Sequence, residues 1–531
     1  MVFRRRAFRI AAVVVGAPTI LGAGMLGYVA FRVKTKPLEH NFQPLVDRDG
    51  HLQLKDCVIH PPTTVRLVMR VLTLLWIFLP VALSYLWLLI RGKTDERYKR
   101  WLQQLLDAVE RGGPALIKAG QWACTRHDMF SETFRNTFCK LYCEVRTHPY
   151  QDTARVIEED LKQPLSSVFS TFSEGTIGSG SIGQVHEAVL KATNERVVVK
   201  VMHPSIVETI ALDFYLVNKL ANLTHYYFPH LEMYDFPSLA FAWTNHLAAQ
   251  LDFRIECEHL ELFRKHFEGT EYVSFPRPIF ATQRVLVETF ATGSPATPEF
   301  LRSHKDHVRD ILATKGLNAW CKMLLRDNFI HGDMHPGNIL VDASDAHAPK
   351  ITLIDVGLCQ KLNAEEAKVV NQLVGSFVRW KSSECCDAIE SMSETSHKYA
   401  NLPQFHIDMQ NLFEKYRPLK YTEDQVVTNI LEACFGAVRD NRVTMDPPYV
   451  SLLFAVLVLE SFVMALNPEF NMVRSSAPWL VSEGHVSTDL MRNLFLSTVD
   501  HGKQQYKVVR GRVNDWWNPP LQLGDHVRMA K

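Results

Sequence analysis

The chain has 531 residues, 47% of them hydrophobic, and 58 Lys and Arg against 57 Asp and Glu give a formal net charge of +1. That balance excludes the basic surface a nucleic-acid partner requires, and the apolar content excludes a disordered chain and implies a core in more than one lobe. Ten cysteines are scattered without CxxC pairs, so reduced, mostly buried thiols are expected; Cys139 and Cys143, one helical turn apart, lack a second ligand pair for zinc.

Residues 1–38 hold seven Lys or Arg and no acid, with Arg4, Arg5, Arg6 and Arg9 ahead of an apolar run from Ile10 to Phe31. Such a start reads as a mitochondrial presequence or signal anchor, although Pro18 and four glycines weaken a spanning helix. A second run, Val71 to Ile90, is uncharged for 20 residues between Arg70 and Arg91, which matches the hydrocarbon thickness of a bilayer. The competing assignment is a buried helix, as expected for Val450 to Leu459, which Glu460 interrupts.

From Glu96 to Val168 the pattern is helical, with Leu102, Leu105, Leu106 and Val109 at three- and four-residue spacing. The period then becomes strand-like: Val185 to Leu190 and Val197 to Val201 flank Thr193-Asn194 as a hairpin, and Arg284 to Phe290 forms a later strand. Beyond residue 300 the chain is helix-rich, apart from short strands at Ile339–Val341 and Ile351–Ile354. The expected divisions are a targeting and membrane region (1–95), a helical extension (96–168), a sheet-bearing lobe (169–290), a helical lobe (291–500) and a tail (501–531) in which Trp516 and Trp517 lie among basic residues. An α+β, bilobal, protein-kinase-like fold with an N-terminal helical extension and membrane segment follows.

Gly178-Ser179-Gly180-Ser181-Ile-Gly183-Gln-Val185 fits G-x-G-x-x-G-x-V, and it opens a strand rather than a helix, as a loop covering phosphates does. Lys200, between valines on the next strand, needs an anion, because an unpaired buried ammonium is costly; Glu256 is the expected partner, with Glu258 and Glu261 on the same helix as alternatives. His331-Gly-Asp333-Met-His-Pro-Gly-Asn338 and Ile354-Asp355-Val-Gly357 complete a phosphoryl-transfer set. Asp333 would orient an acceptor hydroxyl and take its proton, while Asn338 and Asp355 would hold Mg²⁺ on the phosphate oxygens of ATP. A zinc assignment for His331 and His335 lacks a third soft ligand. Glu288, near the end of its strand, is placed beside the adenine or, equally, in solvent.

Lys118-Ala-Gly120-Gln121, Ser181 to His186, Val199 to Pro204 and His331 to Asn338 together resemble the UbiB family of atypical kinases, the aarF-domain-containing kinases. The resemblance spans residue 98 to at least residue 360, and Gln121 to Arg126, Asp128 to Glu132 and Asp252-Phe-Arg254 further resemble a mitochondrial animal member. It implies an ATP-binding kinase-like fold, membrane association, and a role in isoprenoid lipid and coenzyme Q metabolism at a mitochondrial, inner, membrane, with a lipid or isoprenoid precursor or a membrane-bound biosynthetic complex as partner. It further implies that the helix bearing Lys118 and Gln121 folds over the face where peptides would bind. This chain departs from the family in having Gly178 and Gly180 where an alanine-rich loop is usual, and Gln250 in place of the Glu of an ExD motif. Val356 and Gly332 replace the Phe and Arg of ordinary kinases, so switching through an activation-loop phosphosite is not expected. An atypical kinase or ATPase is the leading expectation, followed by a protein kinase and by a non-catalytic, nucleotide-responsive scaffold.

Overall fold

The computed structural model describes residues 45–48, 50–54, 63–92, 94–125, 132–142, 147–227, 236–297, 300–301, 303–334, 336–393, 400–416, 426–467 and positions 470, 472, 475, 476, 479 and 480. The basic N-terminal segment, Asp128 to Ser131, Cys143, His335 and the tail with Trp516 and Trp517 lie outside the described residues.

The apolar run becomes helix α1, Thr64–Arg91, which reverses at Gly92 into α2, Asp95–Gly112. Gly92 and Gly113 have φ of 84° and 100°, values that only glycine adopts without strain, so each helix stops there. Helices α3, Pro114–Thr125, and α4, Glu132–Phe138, follow. One face of α2 buries Leu102, Leu106 and Val109 against Ile117, Phe134 and Phe138, while Ala108 on another meets Ile77 and Val81 of α1.

Helix α5, Tyr150–Leu161, belongs by its packing to the sheet that follows it and not to the preceding extension. That sheet contains β1, Phe169–Ser179, β2, Gly183–Leu190, and β3, Arg196–Met202, and is completed later in the chain. Helices α6, Ile206–Tyr227, α7, Phe236–Ala248, and α8, Phe253–His266, intervene before β4, Val273–Ser274, β5, Pro278–Ala281, and β6, Val285–Thr289. The order is β1-β2-β3-β6-β5, all antiparallel. Because side chains alternate along a strand, Val197, Val199, Val201, Val285 and Val287 pack beneath Val156 and Ile157 of α5. Lys200 and Glu288, opposite Leu286 and Val198 in the register, share the other face.

The larger lobe begins with β7, Ser294–Pro295, and α9, Asp306–Lys322, then gathers short strands: β8, Phe329–His331, β9, Ile339–Asp342, β10, Lys350–Leu353, and β11, Cys359–Lys361. The pairs β9–β10 and β8–β11 are antiparallel. Among the described residues there follow α10, Ala364–Arg379, α11, Ser382–Glu390, α12, Leu402–Tyr416, α13, Val426–Asp440, and α14, Pro447–Leu466. Leu452, Leu459 and Phe462 of α14 are buried with Leu312 and Leu317 of α9, so the Val450 to Leu459 run lies in the core. The result is an α+β, kinase-like arrangement of a sheet-bearing lobe and a helical lobe, preceded by helices.

Candidate active site

Strand β3 and helix α8 meet at one ion pair. Asp252 caps α8, accepting from the Arg254 amide at 3.0 Å, and the first turn then presents Glu256. Lys200 Nζ donates to Glu256 Oε1 at 2.7 Å and Oε2 at 2.8 Å, and lies 3.5 Å from Asp355 Oδ1. Neither Glu258 nor Glu261 takes this place. Burial favours neutral Lys200, but Asp355 and Glu256 outweigh it and hold the ammonium charged well above its usual range. Burial likewise opposes ionisation of Asp355, yet Lys200, Lys118, the Gly357 N–H and His331 keep its carboxyl well below the ordinary range. Burial pushes Glu256 up to about 7 against the pull of Lys200.

The Lys118 charge acting on Asp355 brings the extension to the cleft. Gly120 serves the packing of the extension itself, since a Cβ there would lie 2.6 Å from a Leu141 methyl. Gln121 is placed differently: it is buried and donates from Nε2 to the Leu141 carbonyl at 2.8 Å, a positioning contact inside the extension.

The Asp333–Asn338 loop is held by its own groups. His331 Nδ1 accepts from the Asp333 amide at 3.1 Å, and Asn338 Nδ2 donates to the Asp333 carbonyl at 3.0 Å, which leaves Oδ1 as the Asn338 atom able to face a cation. The Ile354 amide donates to the Asn338 carbonyl at 3.1 Å, so Asn338 sits across the β9–β10 pair from the residue before Asp355. Gly357 is not in a left-handed conformation; an added Cβ would meet Asp355 Oδ1 at 3.2 Å and Glu256 Oε2 at 3.7 Å, so the glycine serves close approach. The aliphatic part of Gln250 lies at 3.8 Å from the same point.

Within the glycine loop the Gly180 amide donates to the Gly183 carbonyl at 2.9 Å. Gly178, paired with Val185, has open space where a Cβ would stand, and Gly180 has nothing nearer than 3.8 Å. The fold therefore makes no demand for glycine at either. Ser179 and Ser181 have buried hydroxyls without a hydrogen-bond partner, as does Oε2 of Glu288. Glu288 is 5% exposed, which overturns the solvent alternative, and burial with Glu256 nearby raises its carboxyl to about 8. Orphaned donors and acceptors, an unfilled loop and a charged lysine fit a triphosphate with its base, while Asn338 and Asp355 supply the oxygen donors that Mg²⁺ prefers.

One group of residues escaped the sequence reading. His203 Nε2 donates to the Gly180 carbonyl at 2.9 Å, and His186 Nδ1 to the Ser173 carbonyl at 2.9 Å. His203 Nδ1 is then the acceptor for His148 Nδ1–H, 2.7 Å away, and Thr153 Oγ1 donates to His148 Nε2 at 2.9 Å. Burial lowers all three histidines, His148 to about 4 with His203 beside it disfavouring a second charge, so neutral rings pin the loop from behind. Only the His186 and His203 segments were visible as motif; residues 148, 186 and 203 have no local spacing that announces a cluster.

A β3 lysine paired to a helix glutamate, with Asp333, Asn338 and Asp355 on paired loops below it, defines a protein-kinase-like site. Residues 140–388 match the ABC1 atypical kinase-like domain. The chain carries an ABC1 atypical kinase domain, and its homologues include UbiB and mitochondrial ABC1 family proteins. It is 26% identical to a Dictyostelium discoideum protein named probable serine/threonine-protein kinase abkC, over 83% of this chain and 73% of that one. A mitochondrial ABC1 family protein of Schizosaccharomyces pombe is 25% identical over 78% of this chain and 70% of its own length. For a probable protein kinase UbiB of Blochmanniella pennsylvanica the figures are 26%, 72% and 69%. A solved Mycobacterium tuberculosis chain, titled as the Rv3197–erythromycin complex, aligns at a TM-score of 0.45 with 18% identity, covering 67% of this chain and 88% of that chain.

Proposed function

We propose that the protein is a Mg-ATP-dependent atypical kinase or ATPase of the UbiB type, acting at a mitochondrial membrane, the inner one by preference, in coenzyme Q or lipid metabolism. The observation that carries this reading is Lys200 bonded to both oxygens of Glu256 and 3.5 Å from Asp355, because that pairing fixes a lysine where phosphates would need it. When bound, Mg-ATP supplies the transferable phosphoryl group and the metal charge that offsets its oxygens.

In this reading the Gly178–Gly183 loop and the hydroxyls of Ser179 and Ser181 cover the phosphates, with Val185 at the base of the loop. Lys200 holds the α- and β-phosphates and Glu256 fixes its position. Asn338 and Asp355 hold Mg²⁺. Asp333 orients the attacking hydroxyl or water and accepts its proton, and Glu288 meets the base. Lys118 places a positive charge by Asp355 from a helix that ordinary kinases lack, which favours a small or lipid acceptor over a peptide.

Purified protein with Mg-ATP and cardiolipin-containing vesicles is expected to release phosphate, and Asp355→Asn to abolish the release; undiminished hydrolysis in that variant would overturn the reading. The open space at Gly178 favours a second reading, a protein kinase. Proteins phosphorylated in trans by the wild type but not by Lys200→Ala would establish it.

A further inference from the structure

The exposed face of α1 makes an unusual demand on its surroundings. Trp76 is 78% exposed, Ile90 76%, and Leu72, Leu79, Leu83 and Leu86 are each more than half exposed. Between Val71 and Ile90 the helix carries no charge, and its two aliphatic hydroxyls turn to its own backbone: Thr73 Oγ1 donates to the Met69 carbonyl at 2.8 Å and Ser84 Oγ to the Val81 carbonyl at 2.8 Å, while Trp76, Tyr85 and Trp87 keep the polar tips that suit a membrane interface. The 28 residues contain three arginines and no acid. Arg70 is neutralised by Asp213, whereas Arg66 and Arg91 are exposed, and Arg91 lies 4.5 Å over the Trp87 ring. An uncharged apolar face with exposed tryptophans along it and an exposed arginine at each end complements anionic lipid.

Crossing the bilayer is a different matter, because α1 is not alone. Helix α2 runs back along it for most of its length: Arg97 Nη1 donates to the Arg91 carbonyl at 2.7 Å, Trp101 Nε1 to the Val81 carbonyl at 3.1 Å, and Arg70 Nη2 to the Gly112 carbonyl at 2.6 Å. Every charged residue of α2, from Asp95 and Glu96 through Arg97, Lys99 and Arg100 to Asp107, Glu110 and Arg111, is exposed. A spanning α1 would drag those charges into hydrocarbon. Nor does α2 separate freely, since Leu102, Leu106 and Val109 form the core of the extension with α3 and α4.

We propose that α1 seats its exposed face in one leaflet of an anionic lipid membrane and lies along the surface, with α2 on the aqueous side, instead of crossing the bilayer. This replaces the transmembrane helix expected from composition, and it is independent of the nucleotide site.

The test uses the full chain on cardiolipin-containing phosphatidylcholine vesicles whose acyl chains carry bromine near the headgroups or at mid-bilayer. The tryptophan quenching lost in Trp76→Phe and in Trp87→Phe reports the depth of each ring. Both rings are more than half exposed, and phenylalanine keeps an aromatic face for Arg91 at position 87, so either substitution leaves the fold in place. The in-plane arrangement places both at the same shallow depth, about 5–10 Å. Trp76 near the midplane, about 15 Å deep, with Trp87 near a headgroup layer, would establish a span and overturn the proposal. Quenching unaltered by either substitution would also overturn it, leaving the face to a protein partner or a second copy.

Discussion

At Gly183 an added Cβ would stand 2.4 Å from the Val201 carbonyl oxygen, whereas at Gly178 it would meet nothing. Two glycines of one motif therefore have different reasons. Gly183→Ala must part β2 from β3 and is expected to destabilise the protein by about 1–3 kcal/mol in urea unfolding. Gly178→Ala should leave stability within about 0.5 kcal/mol while altering affinity for ATP. Equal destabilisation by both would refute the distinction. Lys200, Asp333, Asn338 and Asp355 could be picked out from sequence because each stands in a local pattern whose chemistry is specific. Glu256 could not be separated from Glu258 and Glu261 that way, since only the helix phase relative to β3 decides which carboxylate reaches the ammonium. Glu288 was undecided for the same reason: alternation says two faces exist, and tertiary packing says which one is buried.

Helix α1 shows what happens when a segment is judged without its neighbour. Length and composition correctly announced an apolar helix, but the charged helix packed along it is a tertiary fact. Arg70 illustrates the same limit. Read as a membrane-flanking cation, it instead makes a two-pronged bond to buried Asp213, 143 residues away, at 2.7 Å from both Nε and Nη2. Burial raises the Asp213 carboxyl against the pull of Arg70. Arg70→Met would leave that carboxylate buried and unpaired, so a loss of about 3–5 kcal/mol is expected by thermal or urea unfolding, and Asp213→Asn on top of it should recover part of the loss. An Arg70→Met protein as stable as wild type would mean that the tether is not formed. Helix α5 shows the same limit: its period is helical like that of the extension, and only its packing shows that its apolar stripe faces the sheet.

Across the whole molecule, half-buried His148 and buried Glu288 bend stability in opposite directions with pH. His148 is neutral in the fold, its pKa lowered to about 4 from 6.5. The unfolded chain therefore binds the extra proton between those values, and stability is lost as pH falls from about 6.5 towards 4. Glu288 is raised to about 8 from 4.5, so the folded state retains a proton the unfolded state has released, and stability is lost as pH rises from 4.5 to 8. Measured by Tm, wild type should fall relative to His148→Asn on acidification and relative to Glu288→Gln on raising the pH; parallel curves for either pair would contradict the assignment. The order of sheet, acidic helix, Asp-Asn loop and Asp-x-Gly was readable because a kinase-like lobe pair is built from segments in sequence order. The histidine latch behind the loop was not, since it joins residues from α5's approach, β2 and the end of β3.

The central claim is that side chains from Lys200 to Asp355 surround one magnesium-bound triphosphate. Thermal unfolding with ATP, with and without Mg²⁺, tests it most directly. The prediction is a rise in wild-type Tm that grows with ATP concentration, requires Mg²⁺ and disappears in Asp355→Asn, as expected when a ligand binds only the folded state. A wild-type protein indifferent to Mg-ATP, or an Asp355→Asn protein stabilised equally, would contradict it.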